Sequence, residues 1–106
     1  MQIPKQFNIR NKRYTVTVVP GKLASETCSR YRYVYGNVDY IAREIHIAGK
    51  KPQTGDRVAK RYQAHTFWHE VTHAILKDMG HRLEGSEDFV DNFARRLNDV
   101  VHTAKL

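Results

Sequence analysis

The sequence predicts an α+β domain in which a small, mostly antiparallel sheet is followed by two helices that cover it. Three observations carry that expectation. The first half alternates apolar and polar residues with a period of two and is punctuated by Gly, Pro and Asn, whereas the second half switches to helical periodicity. A length of 106 residues with 41% hydrophobic side chains suits one compact core, so residues 1–106 are read as a single domain.

The strands come first. Phe7 and Ile9 alternate with polar neighbours, Asn11-Lys12 is a turn candidate, and Tyr14, Val16 and Val18 alternate with Thr15 and Thr17, which together predict a hairpin. Pro20-Gly21 stops it. After the basic, aromatic stretch Arg30-Tyr31-Arg32, a second group is expected. It comprises Tyr33 to Tyr35, a Gly36-Asn37 turn, Val38 to Tyr40, and a last strand with Ile45 and Ile47 on one side and Glu44, His46 and Ala48 on the other. Residues 49–55 read as a loop.

The helices follow. Asp56 to Met79 contains neither Gly nor Pro, and Ala64, Trp68, Val71, Thr72, Ile75, Leu76 and Met79 share one arc of a helical wheel. Gly80 is placed to end this helix as a left-handed cap. Ser86 is the expected N-cap of the second helix, Glu87 and Asp88 suit its positive end, and Phe89, Val90, Phe93, Ala94, Leu97, Val100 and Val101 form its stripe.

Composition removes several function classes. The lone Cys28 closes no intramolecular disulfide and supplies no CxxC pair, so it is read as a structural or surface thiol, and any metal must be held by His and carboxylates. No apolar run is long enough for a membrane span and none resembles a signal peptide, which makes a cytoplasmic protein the expectation. The net charge of +7 is concentrated in residues 1–63, with 13 basic and 4 acidic side chains against 5 and 7 in residues 64–106. Such a basic front permits an acidic partner, nucleic acid included, without specifying one; a solvated face is the simpler reading.

The chemistry is concentrated in His69-Glu70-Val71-Thr72-His73, an HExxH motif inside the predicted helix. Residues four apart share a helix face, so both imidazoles reach one Zn²⁺ at about 2.0–2.1 Å. Glu70 lies off that line, where it serves as general base toward a metal-activated water. The two histidines border the apolar arc, half dry and half open. A catalytic zinc needs a third protein ligand. The long metzincin pattern requires Gly and His where this chain has Leu76 and Met79, so a carboxylate of the following segment is sought among Glu84, Glu87, Asp88 and Asp91. On the second wheel Glu87 and Asp91 take the border position and Asp88 points to solvent. Glu87 is the expected third ligand and Asp91 the acceptor that orients a ligating imidazole. A first-turn acid serving only the helix dipole is the plainer account of Glu87.

Residues 66–76, followed by Glu87 to Ala94, resemble the HExxH plus ExxxD pair of gluzincin metallopeptidases. More narrowly the chain is similar to small phage and prophage metallopeptidase-like proteins, and distantly to ImmA/IrrE-type peptidases. The resemblance implies a minimal zincin-like core, zinc on His69, His73 and Glu87, Glu70 as general base, and Asp91 as a supporting acid. It also implies a peptide or protein substrate lying along the strand Ile45 to Ile47 as a sheet edge.

Weaker claims attach to His46, Tyr35, Tyr40, His81 and Arg82 as oxyanion donors, to Phe67 and Trp68 as packing beside the site, to His65 as a buried, hydrogen-bonded histidine, and to His102 as a solvated one. The leading functional expectation is a zinc-dependent hydrolase of peptide bonds. The alternatives are a zinc-stabilised, non-catalytic domain that binds nucleic acid or a phage or host protein, and a basic nucleic-acid-binding domain without metal.

Overall fold

A computed structural model describes residues 3–19, 35–51 and 54–105; Pro20-Gly21, Cys28, Arg30-Tyr31-Arg32 and Tyr33 fall outside them. Strands β1 (Gln6–Ile9), β2 (Lys12–Val19), β3 (Gly36–Asp39) and β4 (Glu44–Ala48) precede helix α1 (Lys60–Met79), a 3-10 turn (Arg82–Gly85) and helix α2 (Glu87–Thr103). The protein is thus α+β, with a four-stranded sheet in the order β1-β2-β4-β3. Its outer pairings, β1 with β2 and β3 with β4, are antiparallel, and the central one, β2 with β4, is parallel.

Period-two alternation gives the sheet one apolar face. Val16 pairs with Ile45, and both are buried with Ile47, Phe67 and Val71 of α1 in the main core. Phe7 stacks on Tyr14 across the first hairpin and meets Phe67 edge to face. Lys12 Nζ reaches Asp78 Oδ1 at 2.8 Å, tying the hairpin to the end of α1.

Both predicted turns are displaced. The first lies at Arg10-Asn11, with Arg10 at φ 56°, so Lys12 already belongs to β2. Gly36-Asn37 is strand, not turn; the chain reverses at residues 40–43, where Asp39 Oδ1 accepts from the amides of Ile41 and Ala42, at 2.9 Å each. The expectation for Ile45 to Ile47 also needs correction. Because β2 joins it in parallel, β4 lies inside the sheet, hydrogen-bonded on both sides, and among the described residues β3 is the edge strand beside the helices.

Helix α1 ends at Gly80 in the left-handed conformation, φ 65°, and α2 begins at Ser86, whose hydroxyl accepts from the Phe89 amide, as the sequence predicts. The buried surface of α1 is broader than its apolar arc. It includes Gln63, Thr66, Phe67, Glu70, His73 and Ala74, whereas Ile75 and Met79 are exposed. The reason is that α1 packs on two sides, against the sheet and against α2. On α2 only Val90 and Ala94 are buried, leaving Phe93, Val100 and Val101 exposed. Among the described residues no helix is long and apolar enough to cross a membrane.

Candidate metal centre

Four-residue spacing stacks His65, His69 and His73 along one face of α1. The tight connection through the 3-10 turn brings the first turn of α2 against that face. Glu87 then offers one carboxylate oxygen to each ring: Oε2 is 3.0 Å from His69 Nε2 and Oε1 is 2.8 Å from His73 Nε2. The two helices therefore unite the two motif histidines and the carboxylate expected as third ligand.

His73 Nδ1 lies 2.9 Å from the Glu84 carbonyl oxygen. A carbonyl only accepts, so Nδ1 carries the hydrogen, and in the neutral ring Nε2 turns a lone pair toward Glu87. His69 faces carboxylate at both nitrogens, Nε2 toward Glu87 and Nδ1 toward Asp91 Oδ1 at 3.4 Å. Neutral imidazole has one N–H for two such contacts. Burial lowers the His69 pKa, against the pull of the Glu87 carboxylate, which disfavours a second proton. Positive charge, from a proton or a metal ion, therefore suits the space between rings and carboxylate. One donor atom from each of His69, His73 and Glu87 lies within 4.8 Å of the others, so these three residues fit a metal ion.

Glu70 sits beside them and is 7% exposed. Burial, reinforced by the Glu87 charge, pushes its carboxyl up to about 8 in the metal-free site. The neighbouring wall is β3. A Cβ on Gly36 would stand 2.6 Å from Thr66 Cγ2 and 3.4 Å from Glu70 Cγ, so this glycine serves close approach of strand to helix rather than a turn. Gly36→Ala is expected to destabilise the fold by about 1–3 kcal/mol, because the added methyl would crowd buried Thr66 and the His46 carbonyl oxygen, 3.2 Å away. Thr66→Ser, which removes the opposing methyl, should restore part of the loss in the double variant, since the His46 carbonyl contact remains; thermal melts of the three variants check this.

The remaining sequence candidates separate clearly. Asp88 is exposed, as expected. The Glu84 carboxylate accepts from the Tyr40 hydroxyl at 2.5 Å, and its nearest approach to His73 Nδ1 is 3.5 Å, so its contribution to the histidine comes through its carbonyl. Burial and this hydrogen bond raise the Tyr40 pKa and keep its proton in place. A cleft of about 490 Å³ opens over the centre, lined by Tyr35, Tyr40, His65, Glu70 and the carboxylates, but not by His46, His81 or Arg82. His46 instead lies beside Glu44 at 3.5 Å, and His81 accepts from the Leu83 amide. Phe67 is buried and Trp68 packs on the core, His102 is exposed, and His65 is partly buried with Nε2 3.1 Å from Asp91 Oδ1. Sequence reasoning missed the Glu84 carbonyl, which has no side-chain signal, and took Gly36 for a turn residue. Comparison with protein-family models, curated proteins and solved structures finds no match to this chain.

Proposed function

We propose that this chain is a zinc-dependent metallopeptidase of gluzincin type, with His69, His73 and Glu87 as ligands and Glu70 as general base. The observation that carries the reading is the single Glu87 carboxylate set 2.8 Å from His73 Nε2 and 3.0 Å from His69 Nε2. Two imidazoles and a carboxylate, with an open side on the cleft, form the donor set of a catalytic rather than a closed structural zinc site. Zinc supplies Lewis acidity toward a peptide carbonyl and acidifies a water in the site.

The protein's own groups do the rest. Glu70, buried against β3, takes the proton of the attacking water and passes it to the leaving amine. The outer edge of β3, the edge strand among the described residues, receives an extended peptide by main-chain pairing, and Tyr35 and Tyr40 line the cleft beside it. The test is direct. Purified protein is expected to contain one zinc per chain and to cleave an unstructured peptide, to lose that cleavage on chelation, and to regain it with added zinc. Bound zinc without any cleavage would favour the non-catalytic binding domain, and a metal-free protein of full stability would exclude both zinc readings.

A further inference from the structure

We propose that the chain holds a second divalent cation one helical turn from the first, on His65 Nε2, His69 Nδ1 and Asp91 Oδ1. The inference rests on the metal-centre reading above, because His69 is shared. His65 Nε2 and His69 Nδ1 approach the same Asp91 oxygen, at 3.1 and 3.4 Å, and one donor atom of each residue lies within 4.8 Å of the other two. The longer contact lies outside the usual N–H···O range of about 2.7–3.2 Å. It matches the separation of two ligands that each stand about 2.1 Å from one tetrahedral cation, which is about 3.4 Å.

Each helix contributes a ladder. His65, His69 and His73 rise by four residues on α1, and Glu87 and Asp91 by four on α2, so the set around His69 Nδ1 repeats the set around its Nε2. Asp91 is held for single-oxygen coordination: Arg95 Nε binds its other oxygen at 3.0 Å. His65 and Asp91 both line the cleft, which leaves the ion an open face. Imidazole-rich ligation selects zinc, cobalt, nickel or copper over magnesium or calcium. The two ions would share the His69 ring, one at each nitrogen. The first ion and Arg95 repel the newcomer, so it binds about tenfold or more weakly.

The experiment titrates chelator-stripped protein with Cu²⁺ by calorimetry and electron paramagnetic resonance. The expected result is two equivalents per chain, with the second quenching the signal of the first through exchange coupling across the shared ring. In His65→Gln, with an unchanged thermal melt for the metal-free protein, the first equivalent persists and the quenching second one is lost. Saturation of the parent protein at one equivalent overturns the proposal while sparing the first site. Two equivalents with additive spectra, or quenching that survives in His65→Gln, also overturn it. Failure to bind any equivalent overturns the metal-centre reading itself.

Discussion

Replacing Glu70 with Gln is expected to lower peptide hydrolysis by about 10²–10⁴-fold while leaving bound zinc at one per chain. The amide keeps the shape of the buried side chain but cannot accept the proton of the attacking water. Unchanged turnover would remove Glu70 from the mechanism, and loss of zinc would make it a structural support of the ligands. The same variant carries a second expectation for the metal-free protein. Glu70 is held as the neutral acid up to about 8, against an ordinary value of 4.5. A carboxyl with a raised folded-state pKa contributes stability that is complete below its unfolded value and is lost as pH rises through its folded value. The metal-free parent should therefore weaken between about pH 4.5 and 8. The variant should lack this decline and be the more stable protein above that window, by on the order of a few kcal/mol. Urea unfolding at pH 5 and pH 9 with chelator present measures it. Zinc on the two imidazoles draws the carboxyl back toward its ionised form and diminishes the effect.

Phe67→Ala is expected to destabilise the protein by about 3–5 kcal/mol, a large share of the roughly 5–15 kcal/mol available to a domain of this size. Phe67 is 2% exposed and touches Phe7 and Trp68 where the sheet meets α1. The cavity would open two residues before His69, so zinc affinity should fall together with stability. Ile75→Ala on the exposed side of the same helix should cost under about 1 kcal/mol. Equal unfolding midpoints for the two variants would show that α1 does not bury Phe67 against the sheet.

The site was more legible in the sequence than the path of the strands. Helix α1 could be read because Gly and Pro are absent from it and Gly80 follows it. The spacing of His69 and His73 then needs no tertiary knowledge, since 3.6 residues per turn places both rings on one face. Ser86, Glu87 and Asp88 mark the start of α2 by the chemistry of its first turn. The strands were harder. Local turn signals misplaced both reversals, because Gly36 is glycine for its contact with Thr66 and Glu70, and the real turn is closed by the Asp39 side chain. That β4 lies inside the sheet depends on its parallel pairing with β2, a long-range contact that alternation along β4 cannot encode.

By itself, the sequence determined the α+β class, the two capped helices and the pairing of His69 with His73, since these follow from periodicity and from residues a few positions apart. Tertiary structure alone decided that Glu87 faces both imidazoles, that the Glu84 carbonyl fixes the His73 tautomer, that Gly36 admits β3 against Glu70, and that Ile75 and Met79 remain exposed. Each of these depends on how α1 is wedged between the sheet and α2, a matter of packing between segments distant in the chain.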